Sequence, residues 1–157
     1  MILTDLLSNK PVLVGLHLGF AIVGIDLLLW HLGELVAGVG SSKRLKWVAV
    51  FAAGSFGLSW FVGGYYYVKF YGSLVKPVIL KSAVPWAHAV VMESKEHIFL
   101  FILPLALTIL FLSFLSMEEL KNNGLKKPLM FLVGLTAGLS LLIGLMGFII
   151  SSAARWG

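Results

Sequence analysis

HLGFAIVGIDLLLWH, His17 to His31, places an apolar run between two imidazoles and admits a single acid, Asp26. A soluble amphipathic helix would interrupt such a run with polar side chains on every turn. Here the apolar pattern extends outward from Pro11 to Val39. That is longer than the ~20 residues needed to cross a bilayer. Pro11 suits a first helical turn, where its missing N–H is no loss. Gly38, Gly40, Ser41 and Ser42 then break the segment.

Three further segments follow the same plan. The expected fold is all-α: an integral membrane four-helix bundle, one transmembrane domain over residues 1–157. Its spans lie at about 11–39, 45–68, 90–117 and 129–153. The composition agrees. Of 157 residues, 59% are hydrophobic and only 12% charged, too few polar groups to clothe a soluble domain of this length. The absence of cysteine excludes disulfides, thiolate metal sites and covalent c-type haem attachment. MILTDLLSNK has no basic n-region and carries Asp5, so the first hydrophobic helix is expected to be retained.

Span 2 ends in an aromatic group that includes Trp60, Tyr65, Tyr66, Tyr67 and Tyr71, read as an interfacial belt. Gly63-Gly64 is read as loosening its last turns. The connection YGSLVKPVILKSAVPWAHAVV, punctuated by Pro77 and Pro85, is too apolar for a soluble loop. It is expected on the membrane surface or partly re-entrant between helices 2 and 3. Pro104 lies within span 3 and should bend it. Asn122, Asn123, Gly124 and Pro128 mark the last turn. Gly15-x3-Gly19 and Gly134-x3-Gly138 are small-residue spacings that let membrane helices approach closely.

Basic residues divide evenly between the two sides. Lys43, Arg44, Lys46, Lys121, Lys126 and Lys127 sit in the two short loops, and six others lie on the side of the termini. The short loops hold their charge more densely, which places them inside and the termini on the non-cytoplasmic side. Lysines flanking spans address lipid headgroups, so the expected partner is the bilayer and not nucleic acid.

His17 and His31 are 14 residues apart, which sets them within about 40° on one helix face and ~21 Å apart along the axis. Gly24 lies midway on that seam and would admit a flat ligand or a neighbouring helix. Spans 1 and 3 run in the same direction, so His17 and His97, each early in its span, are expected at similar depth. His88 falls nine residues before His97, on roughly the opposite face of any continuous helix. Two imidazoles facing each other in a bundle core can hold haem iron.

The His-x13-His spacing with a glycine between resembles the haem-ligating helices of the membrane cytochromes b. In those proteins two b haems stack across the bilayer between four helices. The resemblance covers His17, Gly24 and His31 on one span. The family's second histidine pair has no counterpart here, since His88 and His97 are differently spaced. The resemblance implies one haem b with His17 and His97 as axial ligands. A second haem at His31 would need a methionine, a partner subunit or an open position. It further implies electron transfer between a quinone pool and a partner redox protein, as the membrane subunit of an oxidoreductase. The alternative for each histidine is a hydrogen-bonded packing residue.

Four acids complete the candidates. Asp26 lies near mid-membrane on the face away from His17, either in an interhelical hydrogen bond or as a proton-relay or quinone-site acid. Glu34 stands three residues from His31 and Glu93 four from His97, where a carboxylate can accept a ligating ring's second N–H. Glu93, Glu96, His97 and His17 could instead form a mixed nitrogen–oxygen site for iron, zinc or copper. There is no phosphate-binding glycine loop and no G-x-S-x-G motif. Two rival functions therefore stand beside the cytochrome: a non-catalytic accessory subunit packing through its glycine faces, and a metal- or proton-coupled transporter.

Overall fold

The computed structural model describes residues 5, 7–38 and 41–156, and among these there are helices and no strands. Four helical runs are long and apolar enough to cross a membrane: Lys10–Ala37, Ser42–Lys81, Ala87–Leu112 and Lys126–Trp156. The elements, in order, are α1 (Lys10–Ala37), α2 (Ser42–Tyr66), a π-helical segment π1 (Tyr67–Val75), and α3 (Lys76–Lys81). Then come a second π segment, π2 (Ala87–Met92), α4 (Glu93–Leu112), α5 (Met117–Asn122) and α6 (Lys126–Trp156).

Local chemistry sets the ends. Asn9 caps α1 by accepting from Val12 N–H at 3.3 Å. Gly38 closes it at φ 69°, donating its N–H to Glu34 O. A side chain there would meet the left-handed penalty, which glycine escapes. Ser41 then caps α2 by accepting from Arg44 N–H. Glu34 staples this turn: its carboxylate accepts from Arg44 at 2.6 and 2.8 Å and from Trp30 Nε1 at 3.0 Å.

The expected surface connection between helices 2 and 3 is replaced by helix. α2 runs on through π1 and α3 to Lys81, and the non-helical stretch shrinks to residues 82–85. Of the two expected breakers, Pro85 lies in that non-helical stretch, whereas Pro77 does not interrupt the run. Pro77 falls in the first turn of α3, where no N–H is required. Gly72 sits inside π1, held by i→i+5 bonding. Span 3 likewise starts earlier, at Ala87, and stops at Leu112. Ser113 donates there to Ile109 O, and a separate short helix, α5, follows.

The main core lies between α1, α2, α4 and α6, around Leu28, Ala52, Phe56, Ile102, Ile109 and Val133. Small residues on α2 and α4 let the helices close in. A second, smaller core joins π1, α3, π2 and the end of α6 through Tyr71, Ile79, Ala87, Met92 and Ile150. Outward faces stay apolar, with Phe61, Phe101, Phe111, Phe131 and Phe148 exposed. Helices that are hydrophobic all round suit a lipid environment. Three hydroxyls bond their own helix: Thr136 to Leu132 O, Ser140 to Thr136 O, and Thr108 to Pro104 O.

Glycine spacing is used differently from the reading above. A Cβ on Gly15, Gly19 or Gly138 would meet nothing within 4 Å, and one on Gly134 only Leu32 at 3.9 Å. The close approaches occur at Gly24, against the Phe56 ring, and at Gly63, against His17.

Candidate functional site

α1 and α4 run parallel with a constant offset. The His17 ring meets Phe99 edge to face at 6.2 Å between centroids, and His31 Nε2 reaches Ser113 Oγ at 3.4 Å. Both pairs are 82 residues apart, so residue n of α1 lies level with residue n + 82 of α4. His97 is therefore only about 3 Å from the level of His17. Direction separates them. His97 is two residues from Phe99, about 200° around the helix, and it is exposed. Its Nδ1–H donates to Glu93 O at 2.6 Å and its ring stands beside a shallow outer groove of about 530 Å³.

His17 turns instead toward α2. Ser59 Oγ–H donates to His17 O, so the ring's Nδ1–H is the donor toward Ser59 O, both at 2.9 Å. Gly63 clears the space for this ring. His31 is fully buried at the other end of the seam. Ser113 donates to Ile109 O, so it accepts from His31 Nε2–H, and His31 Nδ1 has no partner among the described residues.

The fit to a haem follows from these directions. Bis-imidazole ligation needs two rings aimed at one point, and His17 and His97 aim at opposite sides of α4. Gly24, the expected ligand gap, holds the Phe56 ring: a Cβ there would lie 2.9–3.0 Å from its carbons. Met117 and Met130, either of which could supply the methionine that a second haem at His31 requires, pack against the main core. The residues present do not fit a haem between α1 and α4. Nor, among the described residues, do three or more His, Asp or Glu side chains converge as a metal site.

The acids also take other partners. Glu34 pairs with Arg44 rather than His31. Glu93 offers its backbone carbonyl to His97, while its carboxylate approaches His88 Nε2 at 3.8 Å. Asp26 is exposed near the middle of α1.

What the fold does assemble is a polar cluster built from the two π segments. Tyr71 of π1 and His88 of π2 are 3% and 4% exposed, and the Tyr71 hydroxyl lies 3.0 Å from His88 Nδ1. Tyr67 stacks on Tyr71 at 5.2 Å between centroids and 19° between planes. The Tyr67 hydroxyl neighbours the Glu96 carboxylate, whose Oε1 is buried without a hydrogen-bond partner. Glu93 lies half exposed at the outer end, and Glu96 lies about 4.5 Å deeper along α4. Beside Glu96 stands Lys95, its chain against Gly147 and its ammonium 5.8 Å from the Phe99 ring.

Sequence reading missed Tyr67, Tyr71, Ser59, Gly63 and the roles of His88 and Glu96. The tyrosines were absorbed into an interfacial belt, although their i,i+4 spacing places both on one face. His88 and Glu93 are five apart, about 140° on an α-helix. The i→i+5 geometry of π2 brings them to one side. π-helical turns recur at functional sites, and this one carries two.

No protein-family model matches this chain, and neither a curated protein nor a solved structure matches it.

Proposed function

We propose that the chain is a four-span membrane protein that carries protons from the surface beside Glu93 to the buried carboxyl of Glu96, as a relay serving a proton-coupled membrane assembly. The observation that carries this reading is the buried Tyr71–His88 pair, with the Glu93 carboxylate at the free nitrogen of His88. An imidazole is suited to the middle position, because it accepts a proton on one nitrogen as it releases one from the other. His88 takes a proton from Glu93 at Nε2 as it gives its Nδ1 proton to Tyr71; Tyr71 releases its own hydroxyl proton through one bridging water to the stacked Tyr67, and Tyr67 releases its proton to the Glu96 carboxylate. The 3.8 Å gap at Glu93 exceeds a hydrogen bond, and a turn of this half-exposed side chain or one bridging water closes it. Titratable groups inside a bilayer are costly and tend to be functional, and this cluster concentrates them.

The path stops halfway. Between it and His31 stands the main apolar core of Leu28, Ala52, Phe56 and Ile102. The relay therefore loads an interior site; it is not an open channel. The test is infrared spectroscopy of the reconstituted protein after a pH jump. The Glu96 carboxyl band, assigned with Glu96→Gln, should respond promptly in wild type and slowly in Tyr71→Phe and His88→Leu. An unchanged response in both variants would overturn the relay.

A further inference from the structure

Asp26 is the one acid of α1 without a partner: it is exposed, and no described residue hydrogen-bonds or ion-pairs with it. Gly15, Gly19, Ile22 and Gly33 fall within about 40° of Asp26 around the helix, and all are exposed. Nothing lies within 4 Å of a Cβ at any of the three glycines. The face is thus open, low at its three glycines and centred on one carboxyl group, with Trp30, tied to Glu34, along one edge. On the four-span reading proposed above, that group would face hydrocarbon, where an unpaired acid is strongly disfavoured.

We propose that this face packs against the same face of a second copy, with the two Asp26 carboxyl groups hydrogen-bonded to each other across the two-fold axis. Membrane insertion orients all copies alike, so the axis of a symmetric pair lies along the membrane normal. Every residue then meets its own counterpart at its own depth. The glycines permit close backbone approach, and Asp26 meets Asp26. A carboxylic acid complements itself, since the O–H of each donates to the carbonyl oxygen of the other. No cation competes from a like chain. Lysines and arginines lie near helix ends, apart from Lys69, whose neighbour Phe70 meets Lys10 at the start of α1, and Lys95, which packs inward against Gly147.

The chain has no cysteine, so single-cysteine variants are clean probes. Ile22→Cys reports on the seam, and Leu141→Cys, 55% exposed on α6, reports on another face. Purified variants in phosphatidylcholine vesicles are oxidised with copper phenanthroline and read as disulfide-linked dimer. Ile22→Cys should cross-link well above Leu141→Cys. Adding Asp26→Leu should reduce the yield roughly tenfold, as loss of a modest polar contact implies. Asp26→Asn, which both donates and accepts, should keep it. Equal yields at both cysteines, or no effect of Asp26→Leu, overturn the pairing. Extraction by alkaline carbonate would sink the four-span reading and the pairing with it. Retention in the membrane without an Ile22 cross-link sinks the pairing alone.

Discussion

Gly63 and His17 interlock so closely that a Cβ on the glycine would stand 2.5 Å from His17 Nδ1. The imidazole can reach the Ser59 carbonyl only because position 63 has no side chain. Gly63→Ala should bring overpacking of about 1–3 kcal/mol, partly offset by a helix-propensity gain of about 1 kcal/mol. The net loss is then up to about 2 kcal/mol. Gly64→Ala, with open space around its Cβ, should be neutral or stabilising. Thermal unfolding in detergent reads both, and His17→Ala in the Gly63→Ala background should relieve the clash.

Tyr71→Phe removes the hydroxyl that satisfies a buried His88 nitrogen. An orphaned buried polar atom costs about 1–3 kcal/mol. The double variant Tyr71→Phe/His88→Leu should be less destabilised than the sum of the single variants, because it leaves no such orphan. Additive losses would mean that the two side chains do not form a pair.

The imidazole directions bear on pigment. The purified protein should show no b-type haem bands, with or without reductant, and His17→Ala should leave its visible spectrum unchanged. A Soret band lost on His17→Ala would require α4 to rotate so that His97 faces α1.

The turn between α4 and α6 should respond to acid. Ser116 and Glu119 form a reciprocal capping box, in which Glu119 accepts from Ser116 N–H at 2.7 Å and Ser116 accepts from Glu119 N–H at 3.1 Å. The backbone hydrogen bond from Ser116, aided by its side chain, lowers the Glu119 pKa below its usual carboxylate value. The stabilisation is therefore full above the unfolded pKa and fades as pH falls through the lowered one. Amide exchange in α5 should quicken over that acidic window in wild type, while Glu119→Gln should show no such step.

Four apolar helical runs were legible because bilayer-length hydrophobic segments admit few other structures. Depth was legible as well: counting along two parallel helices put His17 and His97 nearly level. Azimuth was not. The rings diverge because Phe99, not His97, is the α4 side chain turned toward the His17 ring, and a helix apolar on all sides gives no sign of which side faces inward. The Tyr71–His88 pair was hidden for a different reason. It depends on i→i+5 turns, and no residue pattern used to find helices signals a π segment. Gly63 could have been found only through its neighbour, since a glycine pair in a membrane helix has many uses.

The two π segments give the chain an uneven sensitivity to length. An i→i+5 turn accommodates a surplus residue that an α-helix has no room for. The regular turns of α2 just before Tyr67 have no such give, and deleting one residue there swings everything downstream by about 100°. Tyr71 and His88 would then no longer meet, although every helix survived. At this place a change in residue count, more than any exchange of side chains, separates a working arrangement from an inert one.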